Sequence, residues 1–260
     1  MNRSILNLFT LMVLFIAMAA QAESTPIQEV RFIGYAKSPS NGELLYQEKH
    51  SIVYSSHGQR LSSEVQYFSP DGKLFAEKSL SYGAEPTVPT MAFFDHRIAQ
   101  SILVKKQSDS VLVENIVNGD TEKTDVSDSD DLPMVADAGF DMFMVSHWQS
   151  LMAGKKHTMD FLAITRGQFI EFEIVKTHEA EKTVSFELKP SSFLISMLVD
   201  PIVLTYDKST ANILYYKGLT NIEKAELTAD GWYATGDNHV AVIEYEYETT
   251  LSYLNPSHKD

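Results

Sequence analysis

Residues 44–82 read LLYQEKHSIVYSSHGQRLSSEVQYFSPDGKLFAEKSLSY, and the architecture can be built outward from this stretch. Three runs rich in aromatic and β-branched residues, Leu44 to Tyr54, Arg60 to Phe68 and Lys73 to Tyr82, are separated by Ser55-Ser56-His57-Gly58 and Ser69-Pro70-Asp71-Gly72. Pro70 presets φ for the first corner of its turn and Gly72 accepts the backbone angle that closes it. Alternating runs of this length, bounded by turn residues, predict three antiparallel strands in a meander.

On either side of this meander the same pattern continues. Val30 to Lys37 precedes it, and Ile98 to Lys106 and Val111 to Val117 come after it. The second half alternates more sharply, in Phe169 to Ile174, Val184 to Leu188 and Ile243 to Glu248, with Ile202 to Tyr206 and Ile213 to Tyr216 between. Glu alternating with large apolar residues puts one face in water and the other on a core. Two segments break the period. Asp137 to Met152 spaces Phe140, Phe143, Met144, His147, Trp148 and Leu151 as on one helix face, with Asp137 as N-cap and Gly154 as stop. Pro190 to Val199 is a shorter, almost wholly apolar candidate helix. The acidic stretch Asn118 to Pro133 reads as the longest loop. The expected architecture is therefore mainly β: a curved antiparallel sheet, half-barrel or open barrel, of about ten strands, with two helices packed on or into it.

The faces of the meander single out ionisable residues. Tyr46, Glu48 and His50 share the apolar face of the first strand, and Lys78 that of the third. With two-residue turns at Ser56-His57 and Pro70-Asp71, His50, Ser63 and Lys78 form one row across three strands. A glycine bulge after Pro70-Asp71 would slip the second pairing by one and destroy that row. The row would serve as polar contacts in a ligand cavity or as a structural charge network, and inward charges also protect sheet edges.

The N-terminal stretch states an address. Arg3, an apolar run from Ile5 to Ala20 and small residues in Ala20-Gln21-Ala22 form a cleavable export signal over 1–22, too short for the ~20 residues of a bilayer span. The remainder is expected to form one β-rich domain over 23–250 and a flexible tail over 251–260. The domain needs neither disulfides nor a lipidated cysteine, since the chain has no Cys. With one usable signal and no Asn-x-Ser/Thr acceptor free of proline in the mature chain, a soluble life in the bacterial periplasm is expected. The mature chain keeps 20 of the 21 basic residues and all 35 acidic ones, a net charge of −15, which argues against nucleic acid and stable membrane insertion.

Chemistry-bearing motifs are scarce. No His pair stands at i, i+2 or i, i+4, and Asp125, Asp128, Asp130 and Asp131 lack the glycine turn and terminal Glu of a calcium loop, so no metal is expected. No Gly-x-Ser-x-Gly, phosphate loop or dinucleotide fingerprint occurs, and no cofactor or catalytic residue is assigned. Asp95-His96-Arg97 reads as a turn of mixed charge.

The order of strands, with Asp137 to Met152 and Pro190 to Val199 as lids, resembles at the level of architecture the half-barrel of periplasmic lipoprotein carriers. That resemblance implies a curved sheet over a hydrophobic cavity covered by helices. It leads to a first expectation of an apolar or lipid-like ligand lined by Phe143, Trp148, Phe193, Leu194 and Met197, with Tyr46, Glu48, His50 and Lys78 as polar contacts. The alternative is a non-catalytic envelope module that binds another protein.

Overall fold

A computed structural model describes residues 27–127, 131–192, 200–229, 231–248 and 252–254. The expected signal over 1–22 lies outside the described residues, as do Phe193, Leu194 and Met197 of the second expected helix.

The meander extends in both directions. Strands β1 (Ile27–Lys37), β2 (Leu44–Tyr54), β3 (Arg60–Phe68), β4 (Leu74–Ser81), β5 (Thr90–Asp95), β6 (Gln100–Lys106), β7 (Ser110–Val117) and β8 (Asp120–Ser127) succeed one another, each antiparallel to the last. After the two-residue β9 (Met134–Val135) and helix α1 (Gly139–Met152), a second meander runs through β10 (His157–Ala163), β11 (Gln168–Glu179), β12 (Thr183–Pro190), β13 (Ile202–Asp207), β14 (Ile213–Thr228) and β15 (Gly231–Tyr247). A short β16 (Ser252–Leu254), within the expected tail, pairs with the start of β1.

All sixteen strands belong to one sheet, with β1 beside β15 at its centre and β8 and β9 at its ends. This exceeds the expected ten or so. Five strands escaped the sequence reading: the very short β9 and β16, and β5, β8 and β10. In β8, placed inside the expected acidic loop, polar residues face water on both sides and Val126 is the buried one, so no alternation shows. Its hairpin is nevertheless signalled by Asn118-Gly119, where both residues take positive φ (53 and 92°) as a two-residue turn demands. β5 comes after a proline-bearing loop, and β10 begins directly behind the helix. Two helices are expected, and one α-helix is found among the described residues: Pro190, the expected start of the second, closes β12, its N-terminal neighbours are paired, and 193–199 lie outside the described residues.

Helix α1 begins one residue later than expected from an N-cap at Asp137. Its N-cap is Ala138, with no side-chain cap, and Asp137 instead stands outside the helix with a φ of +44°. Its end agrees with the reading: Gly154 takes φ +80° and donates to the Leu151 carbonyl at 2.9 Å.

The sheet curls strongly. β5 and β14 stand six neighbours apart, about 29 Å if the sheet were flat at ~4.8 Å per strand. Yet Arg97, in the turn after β5, donates to the Glu223 carbonyl of β14 at 2.9 Å. The two ends also meet, because a Cβ built on Gly167, between β10 and β11, would lie 2.9 Å from Thr124 of β8. The result is one open sheet rolled into a barrel-like body. Its inner face is filled by two clusters. One joins Tyr46, Tyr67, Phe75, Met91, Val104 and Ile243, and the other joins Phe143, Met144 and Leu151 of α1 to Met159, Ile174 and Phe186. Among the described residues no helix is long and apolar enough to cross a membrane.

Candidate functional site

The register of the first three hairpin strands decides which polar groups meet. His50 pairs with Val65, and Val65 pairs with Lys78, so the row is His50, Val65 and Lys78, with Ser63 one step along between Ile52 and Leu80. Both pairings sit two residues away from the two-residue-turn register. Gly58 and Gly72 take positive φ (75 and 82°), which lengthens each loop by one residue, and a bulge beside Val53/Tyr54 and beside Tyr67/Phe68 adds the second. A shift of two restores each side chain to its face, and the equal shifts leave His50 and Lys78 level with one another.

Level residues nevertheless acquire different partners. Glu48 is buried and accepts from His50 Nε2 at 2.9 Å and from the Tyr245 hydroxyl at 3.4 Å. Tyr245 reaches it across β1 because its neighbour there is Gly34, where a Cβ would lie 2.7 Å from the tyrosine ring. The His50 ring stacks on Phe32 with centroids 4.3 Å apart. Lys78 turns instead to α1's approach and donates to Asp137 Oδ1 at 2.7 Å, while Oδ2 accepts from Asn221 of β14 at 2.9 Å. Ala138 N–H also donates to Oδ1 at 2.7 Å. Burial alone would lower the Lys78 ammonium, and the Asp137 carboxylate and Tyr67 more than reverse this, holding it above the ordinary lysine range. Asp137 thus ties β4, β14 and the start of α1 together.

The apolar members of the expected site lie elsewhere. Tyr46 is buried in the first cluster, and Phe143 is buried in the second. Trp148 is half-buried at the edge of the second, 5.7 Å from the Tyr206 ring and 5.9 Å from Phe186. The expected residues therefore divide between two clusters and a polar network at the centre of the inner face.

A depression of about 590 Å³ opens on the outer face, over Phe94, Leu103 and Ile116 with Glu64, Glu77 and Glu114 around them. Another, of about 420 Å³, lies between Gln168 to Glu171 and Ser191 and Ser192. Among the described residues no group of three or more His, Cys, Asp or Glu is placed to hold a metal ion.

His239, on β15, is held far below the ordinary histidine range. Its ring lies 5.9 Å from Tyr46, and burial, then Arg97, then Lys224, push it down to about 4. A base whose folded pKa lies below its unfolded value near 6.5 contributes stability that is complete above 6.5 and lost as pH falls toward 4. Because the ring is half-exposed, the expected loss is about 1–2 kcal/mol, well under the full conversion of the shift. Comparing urea midpoints at pH 7 and pH 4.5 for the wild type and His239→Gln tests this. The variant should lose less stability across that interval, and an equal loss in both would reject the assignment.

The longest hairpin was the least visible in the sequence. β14 pairs with β13 only from Ile213 to Lys217, and β15 pairs with β1 only from Val242 to Tyr247. Their mutual pairing continues to Thr228↔Gly231, so beyond the barrel the two strands form a ribbon flanked by no other described strand. Thr220 and Ile222 at its base are buried, whereas Leu227 is 69% exposed, Trp232 48% and Tyr233 63% at its tip.

Fold and site together define a class: a rolled, mainly antiparallel sheet with one α-helix among the described residues, a polar network inside and an aromatic-tipped ribbon outside. No family model matches the chain, and no curated protein matches it. Among solved structures it is similar to the crystal structure of a beta-barrel-like protein of domain of unknown function DUF1849 from Brucella abortus. The identity is 5% and the TM-score 0.49, over 86% of this chain and 96% of that one.

Proposed function

We propose that this protein is an exported, non-catalytic interaction module that engages a protein partner of the bacterial envelope through the tip of the β14–β15 ribbon. The observation that carries the reading is the exposure of Leu227, Trp232 and Tyr233 at the end of a ribbon that leaves the sheet. Tryptophan and tyrosine are the side chains on which interface energy concentrates, and no described strand pairs with either outer edge of the ribbon, where a strand could add. Glu223, Glu226 and Asp237 stand on the same ribbon, and with a net charge of −15 behind them they disfavour an anionic membrane or nucleic acid as the partner. An apolar ligand under α1 has less support, because Phe143, Met144 and Leu151 already pack against the surrounding core.

A pull-down from envelope extract with the full-length, tagged protein tests this. One stoichiometric partner is expected, and Trp232→Ala with Tyr233→Ala should cut its recovery at least tenfold. The urea midpoint should stay within about 0.5 kcal/mol of the wild type, because exposed side chains outside the core are replaced. Undiminished recovery with the double variant would reject the ribbon as the binding element.

A further inference from the structure

The depression on the outer face of the first meander, about 590 Å³ in volume, has the size of a small-ligand site and is open to solvent. Two rows of outward side chains cross it from β3 to β7. One is Glu64, Ser79, Ala92, Leu103 and Glu114, and the other is Gln66, Glu77, Phe94, Ser101 and Ile116. Ser79, Ala92 and Ser101, in the middle of the rows, are short and leave room above the sheet. Phe94 and Leu103 border that room and are 40% and 36% exposed, although a solvated sheet face ordinarily carries polar side chains. The depression therefore has an apolar floor that nothing among the described residues covers.

Negative charge stands at both ends of this floor. Glu64 and Glu114 occupy one row four strands apart, about 19 Å at ~4.8 Å per strand, and Glu77 lies near the Glu64 end. Their own partners leave acceptors over. Glu64 is exposed and forms no ion pair or hydrogen bond among the described residues. Glu77 has two long contacts, with Gln66 at 3.5 Å and His96 at 3.3 Å. Lys123 engages Oε2 of Glu114 at 3.0 Å and leaves Oε1. An occupant complementary to this surface is cationic at its two ends and apolar between them. An extended basic peptide suits it less well. β3 to β7 are interior strands whose backbone groups are paired on both sides, so the amides of such a peptide would find no backbone partners across the floor.

We propose that this depression binds a linear aliphatic polyamine. One terminal ammonium donates to Glu64 and Glu77, the other donates to Glu114, and the methylene runs between them lie on Leu103 and the small side chains of the floor. An inner ammonium beside the Phe94 ring is attracted by its negative face. The site is independent of the ribbon: it lies on β3 to β7, and either can fail without the other.

Spermine, a linear tetramine, is the probe. Calorimetric titration of the full-length protein in about 0.15 M salt, where distant charges are screened within ~8 Å, should show one saturable site per chain. Putrescine, the four-carbon diamine, is too short to reach both ends and should bind at least tenfold more weakly. Glu64→Gln and Glu114→Gln should each weaken spermine about tenfold. Ala92→Arg, which puts a side-chain cation on the floor between the two ends, should abolish binding. Glu181→Gln, in the exposed β11–β12 turn, removes the same charge elsewhere and should bind as the wild type does. Should Ala92→Arg fail to fold, the two glutamine variants on the depression carry the test. The proposal is overturned if spermine does not bind, if putrescine or magnesium ion binds as tightly as spermine, if Glu64→Gln and Glu114→Gln bind spermine as the wild type does, or if Glu181→Gln loses as much affinity as they do.

Discussion

Gly139→Ala is expected to destabilise the protein by about 3 kcal/mol or more, reversing the usual gain from replacing glycine by alanine in a helix. A Cβ at Gly139 would lie 2.0 Å from the Thr87 carbonyl oxygen, 2.5 Å from its carbon and 2.8 Å from Pro89 Cδ. Two of those atoms are backbone and the third belongs to a proline ring, so no side chain can swing aside. Relief requires α1 to move away from the β4–β5 loop. That movement strains the Ala136 N–H bond to the same Thr87 oxygen, at 2.9 Å, and loosens Phe143 and Met144 from their cluster. Urea unfolding checks the prediction, with the midpoint falling at an unchanged slope. Gly83→Ala, where a Cβ meets nothing within 4 Å, serves as the control and should be nearly neutral. If Gly139→Ala were neutral too, the helix would not be seated on this loop.

Asp137→Ala should cost about 3–5 kcal/mol, the usual consequence of removing one partner from a buried ion pair. Its side chain is 4% exposed and that of Lys78 12%, and the change leaves the ammonium, the Asn221 amide and the Ala138 N–H without their acceptor together. The φ of +44° also suits Asp or Asn better than Ala. Asp137→Asn keeps the shape and the backbone preference and should cost less, so the difference between the two variants isolates the charge. A double-mutant cycle of Asp137→Asn with Lys78→Met should show a coupling of at least about 1.5 kcal/mol, and additivity would dismiss the pair as a unit. The pair also predicts an alkaline dependence. Lys78 is held above its unfolded value near 10.4, so its contribution is complete below that pH and is lost as pH rises toward the folded value. Lys78→Met should lack this component above about pH 10.4.

The first hairpins show how far local sequence carries. The limits of β2 and β3 come from alternation and turn residues alone, and so does the face shared by Tyr46, Glu48 and His50. The row itself shifted by two because a glycine turn and a bulge each add one residue, and a bulge has little sequence signature apart from glycine. β8 and the outer part of the ribbon were hidden for the opposite reason. Strands that bury almost nothing on either face show no period of two, even though Asn118-Gly119 marks one of their turns.

Backbone preferences and periodicity over a few residues were enough to establish the mainly β class of the fold, the meander and the places of its turns, one helix ending at Met152, and the presence of ionisable side chains on an inward face. Other features arose only when the chain closed on itself: Lys78 leaves His50 for Asp137, Tyr245 crosses Gly34 to Glu48, and Arg60 of β3 meets Asp141 of α1. Each of these contacts spans tens to hundreds of residues and exists because the sheet rolls until its two ends meet. That curvature is summed from the twist and bulges of sixteen strands, and no single segment encodes it.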